Sequence, residues 1–167
     1  MTTSTPPAIN KASPFALFET NTDLEKAGID LDYGAFYLTV ARAGGSNTRF
    51  GEVLRAKLAP YRRAIETETM DDELAGRLAV EAFAESVITG WGRFKVDEAG
   101  ATVLDAQGNK VRVPGKMPWR DGSERDFSVE NVTELFKLLP DLARDAMTQA
   151  QRQTLFRRTL AEIDGKN

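Results

Sequence analysis

Apolar and polar positions first alternate along residues 28–41, where Ile29, Leu31 and Tyr33 precede Gly34 and Phe36, Leu38 and Val40 follow it. A period of two sends successive side chains to opposite faces. This stretch therefore predicts an antiparallel hairpin turning at Asp32-Tyr33-Gly34, with Phe36, Leu38 and Val40 inward and Tyr37 and Thr39 outward. After Ala43-Gly44-Gly45-Ser46-Asn47 the period changes. Phe50, Val53, Leu54, Leu58 and Tyr61 recur every three or four positions, a helical stripe that Pro60 ends or kinks. Ser46 or Asn47 is its expected cap. A second, longer helix is expected to start at Asp71-Asp72-Glu73, where negative charge suits the positive end of the dipole. It runs through Leu74, Leu78, Ala79, Ala82, Phe83, Val87 and Ile88 to a stop at Gly90-Trp91.

Residues 92–126 break into short β-prone pieces around Gly100, Gly108-Asn109 and Pro114-Gly115, which predicts one or two hairpins and an exposed loop at 114–125. A third helix is signalled by Ser128 as cap, with Phe127 set to staple onto Val132; Val132, Leu135, Phe136 and Leu139 form its stripe. Pro140 either ends that helix or opens the next. A fourth stripe follows in Leu142, Ala146, Ala150, Gln153, Phe156, Leu160 and Ile163. The fold class this implies is α+β: an N-terminal antiparallel hairpin and a mainly helical body of about four helices, with a small β-hairpin insertion between the second and third. The expected organisation is a flexible N-terminal arm over residues 1–13, one domain over 14–164 with its insertion at 92–126, and a short tail at 165–167. No internal repeat is read from the pattern.

Composition narrows the chemistry. With 22 basic and 25 acidic residues mixed along the chain, the net charge of −3 offers no basic field for a phosphate backbone, so no nucleic acid is expected as a partner. No apolar run approaches a membrane span and the first residues lack a signal peptide's pattern, so a cytoplasmic protein with no membrane partner is expected. There is no histidine and no cysteine. That removes disulfides, thiolate nucleophiles, imidazole bases, Ser-His triads and the usual zinc sites. The expectation is a binding protein and not an enzyme, with no catalytic residue, cofactor or metal.

Gly44-Gly45-Ser46 ahead of a helix fits an anion cradle in outline, but no phosphate-loop spacing surrounds it and a strand-to-helix turn accounts for the glycines. Asp71, Asp72 and Glu73 are hard-cation ligands by type, yet adjacent helical positions diverge, and helix-start electrostatics explains them. Trp91 reads as core. Trp119, between Pro118 and Arg120, reads equally as a partner contact and as a loop anchor. Phe156, Leu160 and Ile163 either complete the chain's own core or enter a partner's groove. Trp119, Phe156, Leu160 and Ile163 are thus the candidate partner-binding residues.

The order of these pieces resembles the tail assembly chaperones of long-tailed bacteriophages and prophage-like gene transfer agents. Ala41-Arg42 with Asn47 and Phe50 looks like that family's strand-to-helix junction, and Ala84-Glu85 leading to Trp91 like its second helix. Phe127-Ser128-Val129-Glu130-Asn131 and Leu138-Leu139-Pro140-Asp141-Leu142 are similar to its capped helix and proline-broken follower. The segment between Trp91 and Phe127 is longer than the family's short Asp-Gly hairpin. The resemblance implies a non-enzymatic chaperone that binds the tape-measure protein and delivers major tail (tube) protein to it. It also implies a longer, frameshifted form of the chain as a further partner, since Gly165-Lys166-Asn167 can be encoded by a slippery GGA AAA AAC. The rival expectation is a structural tail or connector protein retained in the virion.

Overall fold

The structure, a computed structural model, describes residues 13–157. Two short helices come first: α1 (Pro14–Phe18), where Ser13 Oγ accepts from the Phe15 amide, and α2 (Thr22–Ala27), where Asn21 Oδ1 accepts from the amides of Asp23 and Leu24. Gly28 turns the chain into β1 (Ile29–Asp32), which pairs antiparallel with β2 (Phe36–Val40). Then come α3 (Arg49–Leu58), a 3₁₀ turn at Ala59–Tyr61 that absorbs Pro60, α4 (Arg62–Glu66) and α5 (Asp72–Ser86). The chain next enters β3 (Ile88–Phe94), β4 (Arg112–Pro114), β5 (Lys116–Pro118) and β6 (Glu124–Asp126), and closes with α6 (Val129–Leu138), α7 (Pro140–Gln151) and a 3₁₀ turn at Gln153–Phe156. The sheet order is β1-β2-β3-β4, all antiparallel, while β5 and β6 form a separate two-stranded ribbon.

The core lies between one face of the four-stranded sheet and the longer helices. Leu38 and Val40 of β2 and Trp91 of β3 meet Phe83, Ala84 and Val87 from α5 and the turn after it, Val132 and Phe136 from α6, and Ala143, Ala146 and Ala150 from α7. Leu38 stands opposite Trp91 in the register, so both project to the helical side. Aromatic rings link the layers: Phe50 meets Phe83 edge-on at 6.1 Å, Phe83 lies 5.9 Å from Phe136, and Phe127 meets Trp91 edge-on at 5.9 Å. Each fully buried large side chain here stabilises by about 2–3 kcal/mol. The alanines of α7 are small for a reason: they let that helix lie close on β2, and Ala43 N–H reaches Ala150 C=O at 2.9 Å.

The architecture read from the sequence is overturned. The chain is a mixed α+β fold in which the hairpin is not an N-terminal unit, because α1 and α2 precede it and β3 and β4 extend it into a four-stranded sheet. The second helix ends at Ser86, and Ile88 to Phe94 form a central strand: Ala41 N–H bonds Val87 C=O at 2.8 Å, pulling the chain out of the helix and onto β2. The 92–126 stretch is no self-contained insertion, since β4 completes the main sheet and Met117 of β5 enters the core. Tyr37, expected outward, is buried on the other sheet face, where Gly92 opposite leaves its ring a slot beside Phe94 at 5.4 Å. The fourth helix stops at Gln151, because Arg152 turns extended and swings Phe156 under the N-terminal segment, where Asn21 N–H bonds Phe156 C=O. The expected arm at 1–12, the residues Leu160 and Ile163 and the tail at 165–167 lie outside the described residues.

Candidate partner-binding surfaces

Trp119 follows β5 in a tight turn, its N–H bonded to Ser123 C=O at 2.8 Å and its C=O accepting from Gly122 N–H at 3.0 Å. The indole rests 6.4 Å from Trp91 on one side and under the Arg125 guanidinium, 5.3 Å from the ring centre, on the other. Trp119 is therefore built into its turn, and only part of its edge is left to solvent. Phe156 is wholly buried. The structure does not bring these two together, and neither forms part of an exposed amphipathic stripe. Apolar side chains that face out lie elsewhere: Leu138 and Leu139 at the α6–α7 corner, 40% and 49% exposed, Phe15 and Phe18 on α1, 72% and 61% exposed, and singly Ile65, Val96, Leu104 and Val129.

The Gly44-Gly45-Ser46 loop does hold an anion, and it belongs to the chain itself. The Glu25 carboxylate, fully buried, accepts from Ser46 N–H at 2.9 Å, from the Ser46 hydroxyl and from Arg42. Gly45 brings its backbone flat against the Arg42 guanidinium, where a Cβ would collide. Burial alone would push the Glu25 carboxyl up. The Ser46 and Thr20 hydroxyls, the Ser46 amide and Arg42 outweigh it and bring it down to about 2. Ser46 is thus spent on Glu25 and caps nothing. Thr48 stands at the start of α3, its hydroxyl bound to Glu52, and Asn47 Oδ1 takes the Arg49 amide at 3.3 Å. Asp71 caps α5 through Leu74 N–H at 2.9 Å, and among the described residues no acidic group is arranged to hold a metal ion.

Sequence reasoning missed two features. The outer face of the sheet is a latticework of charges over aromatic rings. Asp30 pairs with Arg112 and accepts from the Thr39 hydroxyl at 2.6 Å; Asp32 pairs with Lys110 at 2.8 Å, which holds its carboxyl below the usual range. Lys110 lies over Phe94 and Arg112 over Tyr37. The second feature is a tandem unit. Val96-Asp97-Glu98-Ala99-Gly100-Ala101-Thr102-Val103 and Leu104-Asp105-Ala106-Gln107-Gly108-Asn109-Lys110-Val111 align over eight positions each. In both, the Asp carboxylate accepts two amides at 2.9 Å and Gly closes the turn at φ +82° or +84°. A ring of backbone bonds joins them: Val103 N–H to Lys95 C=O, Val111 N–H to Val103 C=O, and Lys95 N–H to Val111 C=O. The repeated Asp-x-x-Gly, eight residues apart, was the available signal.

Comparison with protein-family models, with curated proteins and with solved structures finds no significant match for the chain. No helix among the described residues is long and apolar enough to cross a membrane.

Proposed function

We propose that this chain is a non-enzymatic tail assembly chaperone of a long-tailed bacteriophage or related prophage-like particle. It works in the host cytoplasm, binding the tape-measure protein and helping to recruit tail-tube subunits. The observation that carries the reading is the order of the family-like motifs, taken with the work those residues do in this fold. Ala41 N–H ties β2 to the end of α5, Arg42 pairs with Glu25, and Asn47 Nδ2 donates to Arg42 C=O at 2.8 Å. Phe50 packs on Phe83, Trp91 fills the centre, Ser128 Oγ accepts from Asn131 N–H at 3.1 Å to cap α6, and Pro140 opens α7. Motifs far apart in sequence thus serve one framework, which gives their order more weight than any one of them carries alone.

The physics suits the role. A long amphipathic helix made before its tube exists exposes an apolar stripe that aggregates, and reversible cover lowers that risk. Leu138, Leu139, Phe15 and Phe18 supply scattered apolar contact points, suited to moderate affinity repeated along a long partner. Co-expression with the tape-measure protein of the same gene cluster tests the reading. The expected outcome is co-purification and a soluble tape-measure protein, with the chaperone absent from purified particles by mass spectrometry. Stoichiometric presence in those particles would assign it instead to the tail or connector, and no binding in either setting would remove the proposal.

A further inference from the structure

Residues 13–27 and 152–157 close on each other. Thr20 and Arg157 form an antiparallel bridge flanked by the 2.8 Å bond from Asn21 N–H to Phe156 C=O. Gln153 Nε2 donates to Phe18 C=O at 2.6 Å, and the Arg157 guanidinium lies 5.5 Å from the Phe18 ring centre. On its other side α2 is tied to the body by Glu25, whose C=O accepts from Arg42 N–H at 2.8 Å and whose carboxylate holds Arg42 and Ser46. Thr89 Oγ1 adds a bond to Ala27 C=O at 3.0 Å. Phe156 lies sealed between these ties with α2 packed on its turn.

Phe156 is nonetheless a satellite. Neither it nor any described residue of 13–27 belongs to the central hydrophobic cluster. Among the described residues, what fastens the segment is a set of hydrogen bonds and one buried ion pair beside the burial of the single ring of Phe156. Such a pair fixes a geometry, and the cost of desolvating both charges offsets part of its attraction. Segments fastened in this way open at lower free energy than the core they cover. The surface around Phe156 already accepts a helix, α2, and is therefore shaped for one.

We propose that residues 13–27 are an intramolecular cover that opens as a unit, and that the uncovered Phe156 then receives the apolar stripe of a partner's amphipathic helix. The identity of that partner as the tape-measure protein rests on the function proposed above; the opening does not.

Because the chain has no cysteine, introduced thiols report without background. Thr20 and Arg157 are a non-hydrogen-bonded pair, the antiparallel geometry in which facing side chains come closest, so Thr20→Cys/Arg157→Cys can be oxidised to fasten the cover. The oxidised and reduced forms of this one protein are compared for capture of co-expressed tape-measure protein. The expected result is capture by the reduced form and at least about a tenfold loss on oxidation, restored by reductant. Equal capture by both forms would overturn the cover while leaving the partner reading intact.

A partner-free measurement decides the case if the wild-type chain captures nothing. Thiol labelling of Phe156→Cys under native conditions should run at least about tenfold faster than that of Ala146→Cys in the core, and Glu25→Gln should accelerate the first without changing the second. Hydrogen exchange in the unmodified chain provides the same comparison where Phe156→Cys fails to fold, with the Asn21 and Arg42 amides opening together and ahead of Leu38. Equal rates at the cover and the core, by either method, would refute the proposal.

Discussion

Glu25 carries more of the fold than its place on a six-residue helix suggests. It is ionised and buried, and its partners Arg42 and Ser46 lie in the loop that joins sheet to helices. Because its carboxyl falls from an ordinary 4.5 to about 2 on folding, the stability it contributes is fully present above about pH 4.5 and is lost as pH falls towards 2. That linkage amounts to roughly 3 kcal/mol across the window. Urea titrations at pH 6 and pH 3 should therefore show the wild type weakening at the lower pH, with a clearly smaller change in Glu25→Gln; identical pH slopes would rule out this role. Gly92 makes a second case at this scale. A Cβ there would come 2.4 Å from Tyr37 Oη and 2.6 Å from Val113 C=O, the latter fixed in the sheet. Gly92→Ala should cost about 2–3 kcal/mol in chemical denaturation, whereas relaxation of the Tyr37 ring alone would leave it near neutral.

At the scale of elements, local chemistry was readable where it acts locally. The Ser128 cap, the Pro140 start and the β1–β2 turn each follow from two or three neighbouring residues, and each is present. Long-range pairing was not readable. Val87 and Ile88 continue the apolar stripe of α5, and nothing in the local sequence says that they must leave it; only the approach of β2 decides. Helix α2, with Leu24 as its sole large apolar residue, has no stripe to detect; the Asn21 cap starts it and Glu25, bound from outside, holds it in place. The candidate partner residues divide the same way: the setting of Trp119 between Trp91 and Arg125, and the burial of Phe156, are both tertiary facts. Two predictions belong here. Gly51 in α3 and Gly76 in α5 have open space where a Cβ would go, so each change to Ala should raise stability by about 1 kcal/mol in thermal unfolding. Deletion of 96–103 removes one tandem unit, and with it the Val103 bonds to Lys95 C=O and Val111 N–H, but keeps the Lys95 N–H bond to Val111 C=O and the ion pairs of Lys110 and Arg112. It should cost less than about 1.5 kcal/mol with one cooperative transition preserved, and a split or lost transition would show that the unit belongs to the core.

For the whole molecule, the bridge between Thr20 and Arg157 means that the first and last described segments meet side by side, although nearly the entire chain separates them. The fold is thus closed on itself through contacts that do not depend on chain order, with sheet and helices assembled between two strands of one junction. A circular permutant follows from that geometry. Joining Asn167 to Met1 directly retains every residue, and new ends between Ala106 and Gln107 fall in an exposed turn whose loss leaves the central cluster untouched. Far-UV circular dichroism of the permutant should match the parent, and its Tm should lie within about 5 °C of it. Failure to unfold cooperatively would mean that assembly requires β4 to β6 and the helices α6 and α7 to follow β1 to β3 along the chain.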